Sequence, residues 1–235
     1  MSAVLRHREP AAVLITEMTS AHPSPILFVE VYAQALPALA LLARRNLSRP
    51  VVIVALVFLG SLMTDMIGRY VAHQYGNNLW VSILAAGFIM VGLMVALAEW
   101  QVTEVERLTV RIAVIPCLVV FSGLVFFVED LEQISRFAYP FYLIVVLALA
   151  SWTLLRRTYQ RPGTPIFGTD WFLILSGLAV SSATTIVSTP IGAVLMAHQR
   201  SDLFLQVWQL RAACTIVAIL LITAGTLRRP SGTPA

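Results

Sequence analysis

The sequence predicts an all-α polytopic transmembrane bundle of seven helices, with the N-terminus outside and the C-terminus cytoplasmic. Three observations predict it. The chain is 58% hydrophobic and only 12% charged over 235 residues, where a soluble domain carries about a quarter charged residues. It offers seven apolar runs, each close to the roughly 20 residues that a spanning helix needs. Its arginines gather in alternate connections, which sets an orientation. Period-two alternation is absent from these runs, which excludes an outer-membrane barrel. Lipid offers backbone polar groups no partner, so runs of this length are helical.

Residues 1–25 read as an N-terminal tail. Its longest apolar stretch, AAVLI, is too short for the h-region of about 7–15 residues that a signal peptide requires. The first run, 26–43, contains Glu30, Gln34 and Pro37, all of which lower its insertion propensity. If it did not span, six helices would remain and the N-terminus would be cytoplasmic. The second run is 50–71 and the third 79–98. The fourth, 109–128, holds Pro116. The fifth, 137–155, is entered through Pro140. The sixth, 170–197, is expected to be interrupted near Pro190, and the seventh is 205–227. The bundle therefore covers 26–227, and 228–235 form a cytoplasmic tail. No connection is long enough to house a soluble catalytic domain.

All 16 basic residues are arginine. Ten of them lie after runs one, three, five and seven: Arg44, Arg45, Arg49, Arg107, Arg111, Arg156, Arg157, Arg161, Arg228 and Arg229. The positive-inside rule places those connections in the cytoplasm. The absence of lysine removes Schiff-base chemistry and a retinal pigment, both of which need a lysine amine. No arginine cluster is long enough to suggest nucleic acid. Cys117 and Cys214 sit inside apolar runs and read as small buried side chains. His7, His22, His73 and His198 lie in tails or connections, so no helix carries the ligand spacing of an intramembrane metal site. Neither a cofactor nor a catalytic residue is indicated, and GxGxxG, P-loop and paired-aspartate patterns are missing.

Polar residues are distributed unequally in depth. In "SLMTDMIGRY", Asp65 falls roughly 22 Å along a core of about 30 Å, in the outer third. Arg69 follows at i,i+4, a spacing that lets the two side chains pair on one helix face. An interfacial pair with Arg69 snorkelling to water accounts for them as well as a site does. Yet a charge within a span is costly and marks a functional site by default. Glu30 sits about one turn in from the same side, with Thr184, Thr185, Ser188 and Thr189 in run six and Gln206, Gln209 and Arg211 in run seven. Tyr70, Asn77, Asn78, Tyr139 and Tyr142 close the same end. Glu129, Asp130 and Glu132 read there as helix-end residues meeting water. The inner halves, such as PVVIVALVFLG and TIVAILLITAG, are nearly free of polar groups. Channels and transporters need polar groups at the midplane. This pattern predicts instead a pocket open to the outside above a sealed cytoplasmic half. The lining would be Glu30, Asp65, Arg69 and Arg211, with Thr185 and Gln209 nearby. Gly177, Ser181, Thr185 and Ser188 share one small-residue stripe, which reads first as a packing face and second as a pocket wall.

The segments "RRNLSRPVVIVALVFLGSLMTD…NNLW", "DWFLILSGLAVSSATT" and "LQVWQLRAACTIVAILLITAG" resemble those of a group of uncharacterised bacterial seven-helix membrane proteins. The shared pattern is a basic first loop, an Asn-Asn-Leu-Trp entry to helix three and an aromatic-led helix six ending in hydroxyls. The resemblance implies a fold and a topology, and no activity. The expected function is an inner-membrane sensor or accessory subunit that binds a small amphipathic ligand or lipid headgroup and meets a protein partner at its cytoplasmic loops. Two alternatives stand beside it. One is a lipid-modifying enzyme at the outer leaflet, with Glu30 or Asp65 as its acid–base group. The other is a structural subunit of a membrane complex.

Overall fold

The computed structural model describes residues 24–44, 47–75, 78–129, 135–160 and 166–228. The expected N-terminal tail and cytoplasmic tail lie almost wholly outside these residues, as do Arg45, Arg161, Arg229, Asn77, Asp130 and Glu132.

The described residues form helices and no strands. They are α1 (Pro25–Ala33), α2 (Leu36–Leu42), α3 (Arg49–Tyr75), α4 (Leu79–Glu99) and α5 (Glu104–Gly123), which is continued by one π-helical turn (Leu124–Val128). Then come α6 (Ala138–Gln160), α7 (Asp170–Ala197) and α8 (Ser201–Leu227). With α1 and α2 taken together as Pro25–Leu42, seven segments are long and apolar enough to cross a membrane. The first segment qualifies in spite of its polar residues, at a mean hydropathy of 1.7.

Proline beyond the first turn of a span has two outcomes. In the first span the helix breaks at Gln34–Ala35 and restarts with Pro37 in the opening turn of α2. Pro37 has no N–H to give the Ala33 carbonyl, and a first turn is where proline is tolerated. The expected interruption near Pro190 does not occur. α7 runs unbroken through it for 28 residues. Pro190 is exposed there. Pro116 likewise sits inside an unbroken α5.

Six of the spans close into a ring. The first packs on α3 and α8, α3 on α4, α4 on α6, α6 on α7, and α7 on α8. α5 lies outside this ring, against α4 and α6. Burial agrees: half of the most apolar window of α4 is buried, but 17% of that of α5. The core is built of Val51, Val54, Met90, Met94, Leu97, Val146, Ile174, Leu175 and Ile222. Phe88, Leu42 and Phe127 are more than four-fifths exposed. Large apolar side chains on the outside of a well-packed bundle suit a lipid surround.

α7 and α8 make the closest contact. A Cβ on Gly177 would lie 2.6 Å from the Ala218 carbonyl, and one on Gly225 would lie 2.8 Å from the Asp170 carbonyl. Thr185, Ser188 and Gly192 continue this buried line along α7. The small-residue stripe is thus a packing face, the expected use of such residues where helices meet in lipid.

Candidate functional site

Two polar groups of side chains lie at opposite ends of the ring. The first contains the predicted residues. Glu30 of α1 accepts from Arg211 of α8 at 3.0 Å, with the two side chains 8% and 16% exposed. The Thr215 hydroxyl, one turn beyond Arg211, lies against Glu30. The guanidinium of Arg211 also stacks 4.6 Å from the Trp208 ring centre. Four residues along α1–α2 from Glu30, Gln34 donates from Nε2 to Asp65 of α3 at 2.8 Å.

Asp65 and Arg69 do not pair as their spacing allowed. Gln34 takes the carboxylate, and Arg69 lies over the Phe28 ring at 5.0 Å. Tyr139 and Tyr142 of α6 lie edge to face at 4.9 Å. Their hydroxyls bond one another, within electrostatic reach of Glu30, Asp65 and Arg211. Gln209 donates to the Ser24 hydroxyl at 3.1 Å, which ties the start of α1 to α8. Thr185 stays apart. Its hydroxyl donates to Ser181 O at 2.9 Å within its own helix, and its carbonyl accepts from Thr189 at 2.8 Å.

Of the six predicted residues, then, Glu30 and Arg211 meet directly, and Asp65 joins them through Gln34 on the same first span. Arg69 and Gln209 fasten the rim, and Thr185 belongs to the α7–α8 packing line. Gln34 and Thr215 were not among the predicted residues, and Tyr139 and Tyr142 were expected at this end but not in the lining. Gln34 was within reach of sequence reasoning, because i,i+4 from Glu30 puts both on one face.

Two buried atoms of this cluster have no hydrogen-bond partner: Gln34 Oε1 and Arg211 Nε. Buried polar atoms are satisfied in the great majority of cases, and leaving one unpaired costs about 1–3 kcal/mol. The cluster therefore offers one spare acceptor and one spare donor beside two carboxylates and a guanidinium.

The second group lies at the arginine-rich end, where the sequence suggested a dry seal. A capping box opens α5: Glu106 N donates to Thr103 Oγ1 at 3.1 Å, and Thr103 N to Glu106 at 3.2 Å. Arg156 of α6 holds Glu106 at 2.5 Å. Arg111 pairs with Glu99, and Arg107 with Glu104 at 2.8 Å. Arg157 donates to Trp100 O at 2.7 Å and stacks on Trp171. Gln101 donates to Thr153 at 2.8 Å, and Arg44 to Thr226 O at 2.7 Å. The T-x-x-E pattern at 103–106 is a readable sign of that cap. Between these residues is a recess of about 280 Å³, lined by Glu99, Gln101, Val102, Arg107, Arg157, Gln160 and Trp171.

Glu129 has a structural task. Its Oε1 accepts from Ser135 Oγ at 2.8 Å and Ala138 N at 2.9 Å, which caps the start of α6. Among the described residues, no three His, Cys, Asp or Glu side chains gather in a way that could hold a metal ion. No protein-family model, curated protein or solved structure matches this chain.

Proposed function

We propose that the protein is a multi-pass inner-membrane binding protein of bacterial type, sensor-like or an accessory subunit. The Glu30–Arg211–Gln34–Asp65 cluster faces outward and takes a small amphipathic ligand or lipid headgroup. The arginine bias supports this orientation, since Arg44, Arg107, Arg111, Arg156 and Arg157 share the end remote from the cluster. One observation carries the reading: four spans converge on a polar cluster that keeps a buried acceptor, Gln34 Oε1, and a buried donor, Arg211 Nε, unpartnered. A zwitterionic group, ammonium toward Asp65 and Gln34 and anion toward Arg211, matches that set. A receptor of this kind needs a protein partner at its cytoplasmic loops to carry the output.

Native mass spectrometry from mild detergent tests it, with wild type beside Asp65→Asn and Arg69→Ala. A discrete mass retained by wild type and lost from Asp65→Asn is the expected result. Arg69→Ala, at the rim, should weaken retention less. A bare protein in all three samples refutes the binding role and leaves the cluster as a structural tie. Loss of a lipid-modifying activity in a folded Asp65→Asn would favour the enzyme instead.

A further inference from the structure

The recess at the arginine-rich end holds three buried polar atoms without partners. Trp171 is 2% exposed and Gln101 3% exposed. Indole Nε1 of Trp171, Nε of Arg107 and Oε1 of Gln101 have no hydrogen-bond partner, and all three residues line the recess. Two of these atoms are donors and one is an acceptor. The guanidinium of Arg157 stands beside them, and the one carboxylate in the lining, Glu99, is offset by Arg111.

Two donors with guanidinium groups suit an oxyanion, and phosphate above all. The lone acceptor calls for a donor on the same ligand, such as a hydroxyl. About 280 Å³ falls just below the usual range for small-molecule pockets, roughly 300–1,000 Å³, so the recess suits a headgroup and not an acyl chain. It lies where α4 and α6 end and α5 and α7 begin, the level of lipid phosphates in a bilayer.

We propose that this recess binds a phosphate ester carrying a free hydroxyl, of the phosphoglycerol type. Arg107 and Trp171 grip the phosphate, and Gln101 accepts from the hydroxyl. The ligand reaches the site either as the headgroup of an anionic phospholipid or as a free phosphoglycerol. The proposal is independent of the Glu30–Arg211 cluster: on α6 the recess residues Arg157 and Gln160 stand 15 or more residues beyond Tyr139 and Tyr142.

The test uses the full-length protein in neutral detergent and in nanodiscs. Glycerol phosphate and inorganic phosphate are titrated by calorimetry. Nanodiscs of phosphatidylcholine with and without phosphatidylglycerol are compared by the lipid that native mass spectrometry finds retained. Glycerol phosphate binding, with or without phosphatidylglycerol retention, supports the proposal and assigns a free ligand as one source. Phosphatidylglycerol retention alone supports it and assigns the lipid. In either case Trp171→Phe and Arg107→Gln should each weaken binding about tenfold, the scale of one hydrogen bond to a charged group. Arg107 is partly exposed, so its variant carries the test if Trp171→Phe does not fold. Inorganic phosphate should bind more weakly than glycerol phosphate in wild type and equally in Gln101→Leu. Asp65→Asn should bind as wild type does. The proposal is overturned if no probe binds wild type, if the folded recess variants bind as wild type does, or if glycerol phosphate and inorganic phosphate both bind wild type with equal affinity.

Discussion

Arg211 carries two loads at once: its Nη2 holds Glu30 at 3.0 Å, and its guanidinium lies on Trp208 at 4.6 Å. Removing one partner of a buried ion pair strands the other, at a cost of about 3–5 kcal/mol, whereas removing both together is often close to neutral. Arg211→Met should therefore lower the melting temperature in detergent sharply. The Glu30→Gln/Arg211→Met double variant should recover much of the loss, and a thermal double-mutant cycle reads the coupling. Arg211→Lys should not restore wild-type stability, because an ammonium cannot both fork to a carboxylate and stack on indole. Thr103 lies at the other end of the molecule and of the energy scale. Thr103→Ala removes the α5 cap and should cost about 1 kcal/mol, seen as a small drop in the same melting temperature. Residue types at this scale were legible in the sequence, but their partners were less so. Asp65 and Arg69 had the spacing of a pair, yet Gln34 and Phe28, both from the first span, claimed them separately. Helical spacing names only the partners within one helix.

The helices themselves were the most legible feature. A spanning helix is set by length and apolarity, and both are properties of one contiguous segment. Seven such runs in the sequence became seven such segments. Their ends were less legible. α3 continues to Tyr75, α5 starts at Glu104 and α8 at Ser201; at α5 the Thr103–Glu106 capping box carries the helix into polar sequence where hydropathy has already fallen. Proline was legible as a perturbation and not as an outcome. Pro37 stands beside a break while Pro190 does not. The α7–α8 contact yields the plainest prediction at this scale. Gly177→Val puts carbon where the Ala218 carbonyl stands 2.6 Å away. It should destabilise by about 1–3 kcal/mol and be read as early unfolding in a detergent melt. Gly60→Ala, with nothing within 4 Å of the added carbon, is the matched control and should be neutral or slightly stabilising.

The order of the ring could not be read in advance. These spans are apolar nearly all round, so no polar face marks which side of a helix turns inward. The first span meets the seventh through pairs such as Glu30 and Arg211, 181 residues apart. That α5 stands outside the ring has no sequence signal we can name. The expected pocket and seal were drawn from depth alone. The Glu30–Arg211–Gln34–Asp65 cluster is paired within itself except at Gln34 Oε1 and Arg211 Nε, and the arginine-rich end holds a lined recess. Orientation is testable for the molecule as a whole. A reporter active only outside the cytoplasm should be active when fused after Tyr75 and silent after Gln160, and the reverse pattern would invert the proposed topology.

The first span is fastened to α8 along its whole length, through Ser24 to Gln209 and Glu30 to Arg211 in its first half and through Arg44, just past its end, to the Thr226 carbonyl. This has a consequence for biosynthesis. The ribosome delivers the first span long before it makes the seventh, so the emerging chain must keep a segment bearing Glu30 and Gln34 in or near lipid while its counter-charge does not yet exist. The ring can shut only once α8 has been made. A nascent chain halted before Ser201 should therefore hold its first segment poorly, and glycosylation mapping of such truncations should show that segment slipping out of the bilayer until α8 is restored.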